Sequence, residues 1–170
     1  KGNEIAMYLC ACFIYQNFQS KELIEKANRY FQMAAERGHV LAAHRYGLIL
    51  YDLNRKEEAA RYFKKAADKG NDESMHNYAM MLMKGDEIET NIEEAILYFQ
   101  KAIQFNNINS MNCYGCFLIN SKNDEDKKLA VQYFHRASEN GNIYATSNYA
   151  YMCQVGQGIE KNLEEAKSYY

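Results

Sequence analysis

The sequence predicts an all-α protein, a right-handed α-solenoid of about four and a half two-helix repeats. The first observation is a ten-residue segment present in four near-copies: YFQMAAERGH from Tyr30, YFKKAADKGN from Tyr62, YFQKAIQFNN from Tyr98 and YFHRASENGN from Tyr133. The second is the spacing, at 32, 36, 35 and 36 residues, of the alanine that precedes each aromatic pair by three positions: Ala27, Ala59, Ala95, Ala130 and Ala166. The third is that no window alternates apolar and polar residues long enough for a sheet.

The repeated segment lies in the second helix of each repeat, which we call helix B. In the second copy, small and aromatic residues fall on one face at helical spacing, and charged residues fill the other face. The apolar residues are Ala59, Tyr62, Phe63, Ala66 and Ala67. This pattern predicts a buried seam between repeats and a solvated outer surface.

Both ends of helix B carry recognisable residues. Eleven positions after the anchoring alanine stand Gly38, Gly70, Asn106 and Gly141. Glycine, and asparagine more readily than other residues, adopt the left-handed conformation in which helices commonly end. Just ahead of the anchoring alanine stand Asn54, Asn91 and Asn162, which we expect to cap the start of helix B.

A further helix, called helix A, is expected between each stop and the next helix B. One register pairs a larger residue with a small one: Cys10-Ala11, Tyr46-Gly47, Tyr78-Ala79, Tyr114-Gly115 and Tyr149-Ala150. The small residue predicts a close approach of neighbouring helices, and apolar character nearly all round predicts a helix packed between others. The predicted units are 3–38, 39–70, 71–106, 107–141 and 142–170, a single solenoid that we expect to be part of a longer protein.

Composition and charge argue against several classes of function. The 20 basic and 22 acidic residues give a net charge of -2, so no basic stripe indicates nucleic-acid binding. No apolar run approaches the ~20 residues of a membrane span. Five cysteines, an odd number, and no Asn-x-Ser/Thr acceptor argue against a secreted disulfide scaffold. We therefore expect an intracellular, cytoplasmic protein that binds no nucleic acid and does not insert into membranes.

The cysteine pairs are considered first as a redox or zinc site. Cys113 and Cys116 have a C-x-x-C spacing, but Cys10 and Cys12 belong to a unit three repeats away. At about 10 Å per repeat the two pairs lie roughly 30 Å apart, too far to share a metal or a disulfide. Free thiols are the preferred interpretation.

The histidines are considered next. His44 and His76 occupy equivalent positions in successive helices A and could share a ligand, but no carboxylate is fixed beside them. A polar ladder on the inner surface is the preferred interpretation. No Ser-His-Asp arrangement or phosphate-binding glycine loop is visible, and we expect no catalytic residue, metal or cofactor.

These residues resemble the Sel-one-like repeat family, a relative of the tetratricopeptide repeat. The resemblance is best in ATSNYAYMCQVGQGIEKNLEEAKSYY, from Ala145 to Tyr170, which matches the family's small residue, Leu-Gly-like pair, Gly-x-Gly loop and helix B start. Two features depart from the family pattern. Tyrosine replaces the usual leucine in helix A, and the unit with Tyr46 has only 13 residues from Tyr46 to Ala59, which is closer to a tetratricopeptide repeat.

The resemblance implies that helix A lines a concave surface, where residues two and five positions from its tyrosine register would project. From these positions we predict a partner-binding surface made of Tyr8, Tyr15, His44, Leu48, Tyr51, His76, Met80, Met83, Asn112, Cys116, Tyr144 and Tyr151. Aromatic and methionine side chains with few charges are what a bound peptide or helix would cover. The alternative is that superhelical packing buries much of this stripe as core.

The resemblance also implies a function without chemistry, since family members serve as adaptors in multiprotein complexes. We expect a scaffold that binds a protein or peptide partner along this concave surface and that can be part of a large multiprotein complex. The alternative is a non-catalytic structural component of a large cytoskeletal or ciliary assembly, and an enzyme is the least favoured hypothesis.

Overall fold

The computed structural model describes residues 3–170, and these residues form ten α-helices with no strand among them. The helices are α1 (Asn3–Asn17), α2 (Lys21–Glu36), α3 (Val40–Asp52), α4 (Lys56–Ala67), α5 (Asp72–Lys84), α6 (Ile92–Gln104), α7 (Ile108–Leu118), α8 (Asp124–Glu139), α9 (Ile143–Val155) and α10 (Leu163–Tyr169). Odd-numbered helices are the predicted helices A, and even-numbered helices are the predicted helices B. The chain divides into two compact units, unit 1 (residues 1–98) and unit 2 (residues 99–170).

The core of each unit is built from the phenylalanine and alanine face of helix B. Phe63 of α4 is buried in unit 1, and Phe134 of α8 is buried in unit 2. Each ring lies over a glycine of helix A. A Cβ atom at Gly47 would come within 2.8 Å of Phe63, and one at Gly115 within 2.7 Å of Phe134. The predicted close approach at the small residue is therefore made by a ring that packs directly on the helix backbone.

Tyrosine pairs explain the unusual tyrosine of helix A. In unit 1 the ring centroids of Tyr46 and Tyr62 lie 4.8 Å apart with an interplanar angle of 88°. In unit 2 Tyr149 and Tyr169 lie 4.9 Å apart at 74°. The Tyr149 hydroxyl donates a hydrogen bond to a Glu165 carboxylate oxygen at 2.6 Å. Edge-to-face rings add about 0.5–1.5 kcal/mol beyond their buried area, and the hydroxyl reaches a partner that leucine could not.

The predicted helix stops are confirmed. The backbone φ is +95° at Gly38, +91° at Gly70, +63° at Asn106 and +88° at Gly141. At Gly70, the chain leaves α4 in a conformation that a residue with a Cβ atom adopts only with strain, which is why glycine recurs here.

Two of the three predicted caps of helix B are confirmed and one is wrong. Asn91 and Asn162 each accept a hydrogen bond from the backbone N–H three residues further on, at 3.0 and 3.1 Å. Asn54 instead has a φ of +58°, and its N–H donates to the Tyr51 carbonyl at 3.0 Å. Because only residues 53–55 separate α3 from α4, Asn54 has to reverse the chain and cannot cap the next helix.

The caps of helix A were missed by the sequence interpretation. Each stop residue is followed at once by a residue whose side chain accepts a backbone N–H of the next helix. The accepting side chains and their backbone N–H donors are His39 and Ala42 at 3.2 Å, Asn71 and Ser74 at 2.8 Å, Asn107 and Ser110 at 2.9 Å, and Asn142 and Ala145 at 2.9 Å. The signal was present as the pairs Gly-His, Gly-Asn and Asn-Asn, in which turn and cap are adjacent residues.

Candidate partner-binding surface

Four residues of the predicted surface line one hollow in unit 1. Leu48 and Tyr51 come from α3, and His76 and Met80 come from α5. The hollow measures about 270 Å³ and is completed by Phe63, Asn77, Met81, Lys84 and Asp86. Leu48, Met80, Met81 and the buried Phe63 of α4 give the hollow an apolar lining, and Asn77, Lys84 and Asp86 add polar groups to it.

The edge of this hollow is held by a hydrogen-bonded cluster. The Tyr51 hydroxyl donates to Asp86 Oδ2 at 2.7 Å, and Lys56 Nζ lies 2.7 Å from Asp86 Oδ1. Hydrogen bonds from Lys56 and Tyr51 lower the pKa of the Asp86 carboxyl, and the bond to Asp86 raises the pKa of Tyr51. Tyr51 is 37% exposed, so its ring is fixed in direction and still open to solvent on one side.

A second hollow of about 380 Å³ lies between α1 and α3. Its lining includes Tyr15 and Leu48 of the predicted surface, together with Cys12, Gln16, Phe31, Arg45, Ile49 and Asp52. The Tyr15 hydroxyl is hydrogen-bonded to Asn28 of α2. Leu48 lines both hollows, which therefore lie side by side across α1, α3 and α5, and we call the two together the helix A groove of unit 1.

Two further predicted residues of unit 1 lie outside these hollows. Tyr8 is half-buried and stacks on the His39 ring, with ring centroids 4.5 Å apart. Met83 is half-buried near the end of α5. Neither lines the hollow between α3 and α5.

His44 is buried rather than on the surface where the sequence placed it. It is 5% exposed, its Nδ1 lies 2.9 Å from Ser74 Oγ, and its Nε2 lies 3.0 Å from Glu73 Oε2. Burial lowers the pKa of His44, although the nearby Glu73 charge acts in the opposite direction. The side chain therefore links α3 to α5 from within the seam and does not line the groove.

The Ser74, His44 and Glu73 side chains form a chain of contacts that resembles a hydrolytic triad. The sequence did not indicate it, because Ser74 and His44 are 30 residues apart. A nucleophile must reach its substrate, and Ser74 has no exposed surface. This arrangement therefore serves to satisfy buried polar groups between two helices.

His76 borders the hollow as a neutral ring. Burial lowers its pKa to about 4. His44 is already engaged by Ser74 and Glu73, so the two histidines do not act together as a ligand pair. Among residues 3–170, no three His, Cys, Asp or Glu side chains are grouped so that they could hold a metal ion.

In unit 2 the predicted residues form a different surface. Asn112 and Cys116 of α7 meet Asn148 of α9, whose Nδ2 lies 2.8 Å from Asn112 Oδ1 and 3.5 Å from Cys116 Sγ. Burial raises the pKa of the Cys116 thiol. Tyr144 and Tyr151, on the same face of α9, are 71% and 52% exposed.

The asparagines beside the tyrosine register were missed. Asn77 lines the unit 1 hollow, and Asn148 joins α9 to α7 in unit 2. Both come one position before the helix A tyrosine, whereas the prediction considered only positions two and five residues away. The recurring pair Asn-Tyr, at Asn77-Tyr78 and Asn148-Tyr149, was the available signal.

The described helices include none that is both long and apolar enough to cross a membrane.

Two solved structures share the fold. The protective antigen c5321 of uropathogenic Escherichia coli, described as displaying an SLR fold, superposes with a TM-score of 0.90 at 23% identity, over 99% of this chain and 37% of that one. The Sel1 repeat protein of Oxalobacter formigenes superposes with a TM-score of 0.87 at 22% identity, over 99% of this chain and 71% of that one. The predicted all-α solenoid class is therefore confirmed.

Sequence comparison adds a local match to a curated protein and a match to a family model. The cytochrome c oxidase assembly factor 7 homolog of Drosophila melanogaster is 47% identical over 45 residues, which make up 26% of this chain and 17% of that protein. The present chain thus matches only a small part of that relative. Five segments match the Sel1 repeat family: residues 5–39, 40–71, 72–104, 122–142 and 143–170. Because these segments cover most of the sequence, the chain belongs to the Sel1 repeat family, whose members are typically non-enzymatic and generally act as scaffolds for protein–protein interactions.

Proposed function

We propose that this chain is a protein-binding scaffold that holds a peptide or a segment of a partner protein in the helix A groove of unit 1. The observation that carries the proposal is the hollow between α3 and α5, where Leu48, Tyr51, His76 and Met80 converge from two successive repeats. The hollow is the anchor in this proposal, and the adjoining hollow between α1 and α3 extends the contact.

The composition of the hollow supports this function. Leu48, Met80 and Met81 provide an apolar surface, and methionine adapts its shape to different partner side chains. Tyr51 adds an aromatic ring whose direction is fixed by Asp86. Energetically important interface residues are enriched in such preoriented aromatic side chains within pockets.

The small size of the hollow indicates how a partner would bind. A volume of about 270 Å³ accommodates one large side chain, not a folded domain. We infer that the partner inserts an apolar or aromatic anchor here, and that the rest of its segment lies along the groove. The name of the Drosophila relative, an assembly factor, is consistent with a role in building a multiprotein complex.

The test compares variants in their affinity for one partner. A protein captured from cell extract with the wild-type chain is purified, and its dissociation constant is measured by calorimetry. Met80→Ala is expected to weaken binding by about 2 kcal/mol, because it removes an apolar side chain from the lining of the anchor site. Met33→Ala is the matched control, since Met33 is an exposed methionine on α2 away from the hollow.

Unchanged affinity in two variants of the hollow would contradict the proposal. If Met80→Ala and Leu48→Ala both bind the captured partner as tightly as the wild type, while their melting temperatures show that they are folded, the hollow is not the anchor. A loss of affinity in Met33→Ala instead would place the interface on the outer surface of unit 1.

A further inference from the structure

Unit 2 contains an amide pair whose hydrogen-bonding capacity is only partly used. The Asn148 amide nitrogen donates to Asn112 Oδ1 at 2.8 Å and to Cys116 Sγ at 3.5 Å. An asparagine amide has two donor hydrogens and a carbonyl oxygen that accepts. The Asn112 Nδ2 and the Asn148 Oδ1 therefore have no hydrogen-bond partner within residues 3–170.

The unused groups form an adjacent donor and acceptor on an accessible surface. Asn112 and Asn148 are both half-buried, and neither unused atom is closed off from solvent. In an extended peptide, the N–H and C=O of one residue point to the same side, as in the paired residues of an antiparallel ladder. The Asn112 donor and the Asn148 acceptor match, in type, the C=O and the N–H of one such residue.

The surroundings favour an uncharged ligand. Neither α7 nor α9 contains an Asp, Glu, Lys or Arg residue. Tyr144 and Tyr151 stand one helical turn to either side of Asn148 and are largely exposed. Aromatic rings with polar tips give contact area to an extended segment without requiring a charge on it.

We propose that Asn112 and Asn148 form a clamp for the backbone of an extended, uncharged peptide segment, with Tyr144 and Tyr151 flanking it. The proposal rests on the proposed function only in that the ligand is part of a protein. It gives unit 2 a different kind of binding site. The hollow of unit 1 would bind a side chain of the partner, whereas this asparagine pair would bind the main chain of a peptide.

A second asparagine pair in the same seam provides the control. Asn142 Nδ2 donates to Asn109 Oδ1 at 3.0 Å, but the Asn142 carbonyl oxygen already caps α9 by accepting the Ala145 N–H at 2.9 Å. Asn142 is also buried. This pair therefore offers no matching acceptor, and Asn109→Ala should leave peptide affinity unchanged.

The test selects peptides and then alters their backbone. From a library of random peptides displayed on phage, those that bind the full 170-residue chain are retained. Those that also bind the double variant Asn112→Ala/Asn148→Ala are then removed. The surviving peptides are expected to be uncharged. Replacing one backbone amide with an ester should weaken a survivor by about tenfold, the effect of a lost hydrogen bond to an amide.

A more selective substitution is Asn112→Asp. The aspartate keeps an oxygen that accepts from Asn148 and puts a charged acceptor in place of the unused donor, so it should reduce affinity at least about tenfold with the seam intact. Thermal melting of each variant establishes that the fold is retained.

Three results would each overturn the clamp: no peptide survives the depletion, the survivors share a charged motif, or ester substitution and Asn112→Asp leave affinity unchanged. The affinity of a unit 1 partner for Met80→Ala is measured in parallel. If that dependence holds while the clamp fails, the proposed function stands and only this inference is rejected.

Discussion

The seam between α3 and α5 in unit 1 and the seam between α7 and α9 in unit 2 occupy the same positions of the repeat, but different side chains close them. In unit 1, His44 is buried and joins Ser74 and Glu73 across the seam. In unit 2 the equivalent position holds Asn112, which stays half-exposed and joins Asn148. The difference shows that the repeat fixes where two helices A meet, and that one or two positions decide the chemistry of the surface.

Below the seams the two units are alike. Phe63 packs on Gly47 in unit 1, and Phe134 packs on Gly115 in unit 2. Because the core is shared and the seams differ, substitutions in the core should lower the free energy of unfolding equally in both units. Substitutions in the seams should have different effects in the two units.

The largest effect is expected from the shared core. Phe63→Ala and Phe134→Ala should each lower the free energy of unfolding by about 3–5 kcal/mol, because each leaves a cavity where a ring contacts a helix backbone. Urea denaturation followed by circular dichroism measures the loss. Tyr62→Ala should cost less than Phe63→Ala, since Tyr62 is only half-buried. A small loss of unfolding free energy in Phe134→Ala together with a large loss in Phe63→Ala would show that the two cores are not equivalent.

A smaller effect, confined to unit 1, is expected from pH. The pKa of His76 is lowered to about 4, so between pH 6.5 and 4 the unfolded chain binds a proton that the folded chain does not. Stability should therefore fall as the pH falls, by about 2 kcal/mol between pH 7 and pH 5. His44, whose pKa is also lowered by burial, acts in the same direction.

The matched variant for this prediction is His76→Asn, which introduces the residue that unit 2 carries at the same register, Asn112. Urea midpoints at several pH values should fall less steeply for the variant than for the wild type. Parallel curves would mean that His76 titrates normally and that its environment is more open than the structure indicates.

The smallest effect on stability is expected when the hydroxyl is removed from either of two exposed tyrosines, one in each unit. Tyr51→Phe removes the hydroxyl that donates to Asp86 and should lower the free energy of unfolding by about 1 kcal/mol. Tyr151→Phe in unit 2 should change stability by less than about 0.5 kcal/mol, because Tyr151 is 52% exposed and its hydroxyl makes no comparable hydrogen bond within residues 3–170. Equal melting temperatures for the two variants would indicate that the Tyr51 and Asp86 contact does not contribute in solution.

The two units also show how far the sequence could predict the site. Leu48, Tyr51, His76 and Met80 were predicted to share a partner-binding surface from their register and from the resemblance to related solenoids, and in the structure they line one hollow. His44 was misplaced because its burial depends on Ser74, which lies 30 residues away and completes its hydrogen bonds. Asn148 was missed because its importance comes from Asn112, 36 residues away, and not from its own helix.

The sequence by itself determined the period, the alternation of the two helix types and their stops, because these depend on spacing along one helix and on backbone conformations that glycine and asparagine tolerate. It also determined the buried face of helix B, since aromatic and small residues recur there at helical spacing. Only the tertiary structure decided which helix A residues remain accessible. That choice depends on side chains a whole repeat away, such as Asp86 for Tyr51, 35 residues along the chain, because burial and hydrogen bonding are properties of neighbours in space.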